Sequence, residues 1–312
     1  MTQVDRGRGQ GVTAFNLETL ERYPSRIACL TEETTETLYS LGEGDRLVGI
    51  SGYTVRPPAA RRKPKVSAFI NAKIDKIVGL EPDIALTFSD LQADIARDLV
   101  RRGVTVLSFN QRSVEEILQM MLTLARLVGV PEKGVELVQT IQGQLETIRA
   151  SAARFESRPR VFFEEWNNPL ISGIRWVEEL IEIAGGQPIF PELRNRPLAK
   201  DRIIDPGEVI GRNPEMIIGS WCGVRFNRDF VKSRDGWADI VAVGNDHVYE
   251  VKSTYILQPG PAALTERVRQ LHWAFAHFFG MAVDPGIAPE EAVDPHLKTP
   301  PGAGTRDRQE LS

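Results

Sequence analysis

The side chains best suited to catalysis are a pair of adjacent carboxylates and a pair of histidines. Glu164 and Glu165 lie at the predicted end of a strand, where a hydrolase can place a general acid. Adjacent strand residues point to opposite faces of a sheet, so these two carboxylates cannot act as a pair. His272 and His277 lie roughly 140° apart around a predicted helix, so they do not share the face that a metal ion needs. The sequence therefore predicts neither an acid–base pair nor a metal site.

Motifs for nucleophilic, phosphate and dinucleotide chemistry are absent. The chain has no GxSxG, no GxxxxGK[ST], no HExxH and no GxGxxG after a strand. Its cysteines, Cys29 and Cys222, belong to no CxxC motif, which argues against structural zinc and a disulfide framework. Cys222 is predicted to be a small buried side chain. We therefore predict a protein that is not an enzyme and has no covalent cofactor.

Aromatic side chains show the clearest pattern. They follow predicted strands and lie among Gly, Ser, Asn and Pro residues. In chain order they are Tyr53, Phe69, Phe88, Trp166, Trp176, Trp221 and Tyr255. Ligands of open parallel sheets bind outside the carboxyl ends of the strands. Rings that each cover about 150 to 250 Å² would line a cleft for a large, flat, partly apolar ligand. Trp176 begins an amphipathic helix and fits the core equally well.

Strands alternate with helices along most of the chain, which predicts parallel sheets with right-handed crossovers. The order of elements recurs along the chain. Arg26 and Arg160 open similar strands, and Pro82 and Pro214 open two more, with nearly the same number of residues between the members of each pair. We predict an α/β fold of two Rossmann-like lobes with parallel sheets, joined by one long α-helix. The predicted parts are a flexible arm (1–25), an N-terminal lobe (26–131), a connecting helix (132–157), a C-terminal lobe (158–281) and a disordered tail (282–312).

Composition narrows the class of protein. Of the 312 residues, 42% are hydrophobic, which is close to the average of globular proteins. The 38 basic and 42 acidic residues give a net charge of -4, so the chain offers no basic surface for nucleic acid. The basic segment 56–65 contains three prolines and is predicted to be a solvated loop. No apolar run is long enough to span a membrane. The first 25 residues lack a continuous apolar stretch, so the sequence as it stands predicts no signal peptide and a cytoplasmic location.

Several longer motifs are familiar. They are RIACLTEETTETLYSLGEGDRLVGISGYTVRPP, KPKVSAF, KIDKIVGLEPDIAL, GVTVLSFNQRSVEEI, ISGIRWVEELIEIAGG and NPEMIIGSW. Over residues 26–280 the chain resembles the helical-backbone (class III) periplasmic binding proteins of ABC importers, and within them the cobalamin-binding branch. The resemblance implies two lobes that hold a corrinoid between them, a possible ABC permease as partner, and a periplasmic location if the true start lies upstream. Nothing in the sequence indicates an obligate oligomer, so a monomer is predicted.

The resemblance also assigns positions. The family's pocket aromatics fall on Tyr53, Phe69 and Phe88, and the nearest second-lobe candidates are Glu165, Trp166 and Trp221, to which the aromatic pattern adds Tyr255. Arg56 and Arg175, with Asn110 and Gln111, are candidates for the polar fringe of the ligand. The two surface carboxylates with which the family docks on its permease correspond to Asp75 and, one residue displaced, Glu208.

Two other functions stay open at this point. A ferric siderophore or haem would be favoured by cationic side chains on an apolar rim, and the sequence offers Arg56, Arg175 and Arg225. A cytoplasmic corrinoid chaperone or sensor would agree with the absence of a predicted signal peptide. An enzyme is disfavoured because no acid, base and nucleophile form a set.

Overall fold

The first predicted strand forms the centre of a six-stranded sheet. A computed structural model describes residues 23–290. The strands of the first sheet are β1 (Ile27–Cys29), β2 (Leu47–Ser51), β3 (Lys65–Ala68), β4 (Asn71–Ala72), β5 (Ile84–Phe88) and β6 (Val106–Phe109). Their order is β4-β3-β2-β1-β5-β6, and all neighbours are parallel except β3 and β4. The predicted strands at 26–30, 46–51, 83–88 and 104–109 are confirmed to within two residues at each end.

The second sheet repeats this arrangement. Its strands are β7 (Arg160–Asn167), β8 (Leu170–Ser172), β9 (Gln187–Pro188), β10 (Met216–Gly219) and β11 (Val248–Glu250). β7 is parallel to β10 and β9, β10 is parallel to β11, and β8 forms an antiparallel hairpin with β7. β7 and β10 thus occupy the places of β1 and β5, which confirms the repeat that the sequence predicts.

Helices cover the sheets and join them. They are α1 (Glu32–Ser40), α2 (Ile74–Val78), α3 (Ala93–Arg101), α4 (Val114–Leu127), α5 (Pro131–Ala152), α6 (Arg175–Ala184), α7 (Pro206–Arg212), α8 (Arg228–Lys232), α9 (Val241–Gly244), α10 (Ser253–Ile256) and α11 (Val268–Phe278), the last preceded by a π-helical turn, Ala263–Arg267. At about 1.5 Å per residue, α5 is about 33 Å long. This long helix lies between the residues of the two sheets, as predicted.

Local sequence explains where α4 and α5 begin and how they cross. Ser113 and Glu116 form a reciprocal capping box at the start of α4. Pro131 occupies the first turn of α5, where its missing N–H costs no hydrogen bond. A Cβ atom at Gly134 would lie 2.3 Å from the Cβ of Ala125, so only glycine permits this close crossing. The capping box and the tight crossing fix the direction of the connecting helix.

Alternate residues of β1 serve different parts of the core. Ile27 and Cys29 belong to a large apolar cluster that runs through α4, α5 and α6 into the second sheet. Ala28 and Leu30 belong to a smaller cluster under α2 and α3. A strand buried on both faces is expected to be apolar throughout, as β1 is. The core therefore joins the lobes as well as filling each of them.

The end of the described chain differs from the predicted disordered tail. Residues 285–287 form a short 3-10 turn in which Asp284 accepts a hydrogen bond from the Gly286 N–H, and Ile287 is buried in the large cluster. One apolar side chain after a capped turn provides a local contact that overall composition does not reveal. The rest of the predicted tail, and most of the predicted arm, lie outside the described residues. Within residues 23–290, no helix is both long and apolar enough to cross a membrane.

Candidate ligand-binding cleft

Loops at the carboxyl ends of the parallel strands in the two sheets contact each other. The loop after β2 reaches the second lobe, where the Arg56 guanidinium lies 3.5 Å from the carbonyl oxygen of Thr254. After β6, the Gln111 amide donates to the carbonyl of Pro259 at 3.2 Å. The N–H of Ala262 lies 3.4 Å from a carboxylate oxygen of Glu36 in α1. These contacts join the loops at the strand ends of the two lobes, and the region beside them is the candidate ligand-binding cleft.

Apolar side chains are exposed beside the strand ends of both lobes. In the first lobe Tyr53, Ile70 and Leu91 follow β2, β3 and β5 and are 54%, 60% and 50% exposed. In the second lobe Val224 and Phe230 are exposed in the segment after β10. Large apolar side chains at strand ends of two facing lobes are typical of a binding site rather than of a random surface.

A buried amide sets the conformation of the two first-lobe loops. The Gln92 side chain donates to the carbonyl of Phe69 at 2.6 Å and accepts from the N–H of Phe88 at 3.0 Å. Phe69 and Ser89 have positive φ angles of 53° and 57°, which residues other than glycine adopt rarely. The Ser89 hydroxyl accepts from the N–H of Leu91. The half-buried Phe69 ring is thus held by a defined loop at the cleft wall.

Phe88 lies deeper than its position in the sequence indicates. Its side chain is almost completely buried, and the Arg112 guanidinium carbon lies 5.0 Å from its ring centroid. Arg112 comes from the loop between β6 and α4 and is a residue that sequence reasoning missed. The only sequence signal was its position directly after the strand end that carries Asn110 and Gln111. The Arg112 side chain is more exposed than the Phe88 side chain that it lies over.

Arg56 and Tyr255 form part of the junction between the lobes. The Arg56 and Arg267 guanidinium carbons lie 3.3 and 3.6 Å from the centroid of the Tyr255 ring. Two such groups cannot share one face at these distances, so each face of the ring carries one arginine. Arg56 also forms a salt bridge with Glu36 at 3.0 Å. The structure does not favour the prediction that Arg56 and Tyr255 present free surfaces to a ligand.

Glu165 and Trp166 lie at the end of β7. The Glu165 carboxylate binds both terminal nitrogens of buried Arg202, at 2.6 and 2.9 Å, and its charge is therefore neutralised. The Trp166 ring is half-buried, and its indole N–H donates to the carbonyl of Asn168 at 2.9 Å. Trp166 thus keeps partial access to the cleft, whereas Glu165 is held by its partner.

Trp221 is a core residue with 4% of its surface exposed. Its indole N–H donates to Glu164 at 2.9 Å, and Arg234 binds the same carboxylate with both terminal nitrogens. Burial raises the pKa of Glu164, while Arg234 and Trp221 oppose that shift. The prediction that the Trp221 ring lines the cleft is not favoured, because the buried ring packs on Phe226 at 5.0 Å between centroids and its N–H is bound to Glu164. Trp176 is also buried in the core.

Arg175 lies apart from the cleft aromatics. It forms a salt bridge with Glu179 at 2.8 Å, and Glu179 accepts a hydrogen bond from the N–H of Val114 at 2.7 Å. Both side chains line a groove of about 920 Å³ between α4, α5 and α6. The structure therefore places Arg175 in a side groove at the junction of the lobes, and does not bring it together with Tyr53, Phe69 and Phe88.

Buried acids and one thiol complete the polar part of the cleft. Burial raises the pKa of Glu32 and raises that of Glu33 to about 8, with a further contribution from the charge of Glu32. Cys222 is exposed, so the prediction of a buried side chain there is wrong. Partial desolvation and the carboxylates of Glu165 and Glu32 raise the pKa of the Cys222 thiol. Between residues 23 and 290, no three His, Cys, Asp or Glu side chains are grouped to hold a metal ion.

These features define a class of protein: two α/β lobes joined by a helix, with an apolar cleft at the strand ends, form a bilobal solute-binding protein. Residues 27–255 match the family model of the periplasmic binding proteins. The chain belongs to the periplasmic binding protein family. The resemblance seen in the sequence motifs is confirmed, and the family is one of solute-binding proteins rather than of enzymes.

Individual relatives agree with the class of substrate-binding proteins of ABC importers. An uncharacterized ABC transporter substrate-binding lipoprotein, YvrC, of Bacillus subtilis is 27% identical, with 81% of this chain and 80% of the relative covered. A vitamin B12-binding protein of Vibrio campbellii is 28% identical, with 75% and 83% covered. The crystal structure of a periplasmic heme-binding protein from Pseudomonas aeruginosa superposes with a TM-score of 0.70 at 17% identity, covering 81% of this chain and 92% of that one. This last likeness concerns the fold alone.

Proposed function

We propose that this protein holds a corrinoid such as cobalamin in the cleft between its lobes and delivers it to an ABC importer. The observation that carries the proposal is the set of exposed apolar side chains beside the strand ends of both lobes, with Tyr53, Ile70 and Leu91 on one lobe and Val224 and Phe230 on the other. A corrin ring is large, flat and partly apolar, and such walls can cover both of its faces. The vitamin B12-binding relative supports the same ligand.

The test is a titration of the purified protein with cyanocobalamin, dicyanocobinamide, hemin and a ferric hydroxamate. Calorimetry and the visible absorption of the ligand report binding. We expect submicromolar dissociation constants, on the order of 10⁻⁷ M, for the corrinoids alone, which corresponds to about -9.5 kcal/mol. Absence of corrinoid binding together with binding of hemin or the hydroxamate would contradict the proposal and leave the binding-protein class intact.

A second candidate is a ferric siderophore or haem. Half-buried Arg112 at the cleft wall and exposed Arg225 on the opposite lobe are the observations that favour it, because anionic chelates need positive charge. Arg56 and Arg175, which the sequence offered for this role, are each paired with a glutamate. The titration with hemin and the hydroxamate distinguishes this ligand class from the corrinoids.

Delivery to a permease would use one surface carboxylate on each lobe, Asp75 and Glu208. The Asp75 side chain is 89% exposed and pairs with Arg102 at 2.6 Å, and Glu208 pairs with Arg212 at 3.3 Å. In cells that depend on this protein for corrinoid uptake, Asp75→Lys and Glu208→Lys are expected to lower uptake of labelled cobalamin. Ligand binding by the purified variants should be unchanged. Normal uptake by the double variant would argue against these docking positions.

A further inference from the structure

Arg112 is a half-buried cation whose guanidinium group donates no hydrogen bond to any residue in the described range. Only 15% of its side chain is exposed, and its Nε atom is buried without a partner. Its nearest carboxylate oxygen, on Asp90, lies 3.8 Å away. A guanidinium group has five N–H donors, and leaving buried donors unpaired costs free energy. Burial lowers the pKa of Arg112, which agrees with this desolvation.

Other arginines near the cleft donate side-chain hydrogen bonds to carboxylates, although one guanidinium nitrogen each of Arg56 and Arg202 is also buried without a partner. Arg202 binds Glu165 with both terminal nitrogens, and Arg234 binds Glu164 in the same manner. Arg56 has Glu36 as its partner. Arg112 is thus distinguished from these three by a guanidinium group that its own protein leaves open. Among the described residues, its guanidinium group has a long salt bridge to Asp90 at 3.8 Å and the Phe88 ring as partners, and no hydrogen bond.

Arg112 lies in the loop between β6 and α4, at the carboxyl-end edge of the first sheet. Its guanidinium group lies over the Phe88 ring at the carboxyl end of β5, on the first lobe. The charges of Arg202 and Glu165, both on the second lobe, act on it electrostatically. It therefore lies where the two walls approach each other. A planar cation that rests on an aromatic ring is preorganised for a second planar partner, since one side is already fixed.

We propose that Arg112 binds an anionic oxygen group, a carboxylate or a phosphate, on the edge of the macrocycle held in the cleft, and so determines ligand selectivity. This inference rests on the proposed binding function. Planar bidentate recognition of such oxygens is the chemistry for which arginine is best suited. The phosphate of the nucleotide arm of a cobalamin and the propionate of a haem offer the same group, and the experiment separates these two sources.

The experiment compares ligand pairs that differ in the anionic group. Cyanocobalamin is paired with dicyanocobinamide, which lacks the nucleotide phosphate, and hemin is paired with its dimethyl ester. For whichever pair the wild type binds, Arg112→Ala is expected to weaken binding of the anionic member about ten- to a hundredfold, while the other member changes less than about threefold. Arg112→Lys should lie between the two, since it keeps the charge and loses the bidentate geometry.

Arg101→Ala is the matched control, because Arg101 is an exposed arginine of the same lobe on α3. It should leave both affinities unchanged. If Arg112→Ala lowers both members of a pair equally, or neither, Arg112 does not select for an anionic group and the inference is overturned while the binding function stands. If the wild type binds none of the four ligands, the proposed function and this inference both fail. Thermal melting of each variant verifies that it is folded.

Discussion

Arg56 stacks on the ring of Tyr255 at 3.3 Å and thereby joins the loop after β2 to helix α10 of the other lobe. Arg267 covers the opposite face of the same ring, and Glu36 pairs with Arg56 from α1. Residues from four separate parts of the chain thus meet at one ring. The stack joins the loops at the two strand edges to each other.

Loss of this stack should weaken the junction between the lobes. Arg56→Ala removes a partly buried salt bridge and a cation–π contact, and we expect the free energy of unfolding to fall by about 1 to 3 kcal/mol. Arg62→Ala, a nearby exposed arginine, should change it by less than about 0.5 kcal/mol. Urea unfolding of the two variants measures the difference, and equal values would argue against a role of the stack in stability.

Substitution of a surface aromatic should weaken ligand binding, whereas substitution of a core aromatic should lower the free energy of unfolding. Tyr53→Ala removes an exposed ring, so we expect about tenfold weaker corrinoid binding with little change in the free energy of unfolding. Trp221→Phe leaves Glu164 without one donor in the core, so stability should fall by about 1 to 3 kcal/mol. Calorimetric titration and urea unfolding of both variants distinguish the two effects. If Tyr53→Ala lost more free energy of unfolding than free energy of ligand binding, this assignment would be contradicted.

Buried acids give the protein a characteristic pH dependence. The pKa values of Glu33 and Glu178 are raised to about 8, in each case chiefly by burial. Between about pH 4.5 and 8 the folded state therefore binds more protons than the unfolded state, and its stability falls as the pH rises. Each acid contributes at most about 1.4 kcal/mol per pH unit. Urea unfolding from pH 5 to pH 8 should show this decrease.

Glu33→Gln tests the source of that decrease. A neutral amide cannot take up a proton, so the pH dependence should become shallower than in the wild type. Exposed Glu156→Gln is the control and should leave the slope unchanged. A Glu33→Gln variant with the wild-type slope would show that Glu33 does not titrate in this range.

A close backbone approach sets the distance between the lobes at one point. A Cβ atom at Gly260 would lie 2.6 Å from the Cβ and 3.0 Å from the Cα of Glu33 on α1. Gly260→Ala should therefore displace the second-lobe segment, with a loss of about 1 to 3 kcal/mol and weaker ligand binding. Gly143→Ala on α5 meets no neighbour within 4 Å and should raise stability by about 0.5 to 1 kcal/mol. Stability of Gly260→Ala equal to that of the wild type would contradict the close approach.

The sequence predicts the main elements of the fold because their signals are local. β1, β5 and α4 have apolar spacing and end signals that a short window contains, and the recurring order of elements indicates two lobes. The β7–β8 hairpin was missed, because its three-residue second strand has no periodicity to detect. Buried Ile287 was missed for a similar reason, since its contact depends on tertiary packing.

The candidate site could be predicted only in part. Position after a strand places Tyr53 and Phe69 at the carboxyl-end edge of the first sheet and Trp221 at that of the second, but it does not show which way each ring turns. Trp221 turns inward because Glu164, 57 residues away, accepts its N–H. Arg112 was missed because its significance lies in the absence of a hydrogen-bond partner. A partner distant in the chain decides the first case and the lack of one decides the second, and a local pattern shows neither.

The large apolar cluster contains side chains from β1, α4, α5, α6 and β10, so a single core extends across both halves of the molecule. Lobes that share a core cannot melt independently without exposing part of that shared surface. The chain should therefore unfold as one cooperative unit. A ligand that binds between the lobes would then raise the melting temperature of the whole molecule, rather than protecting only the walls that it touches.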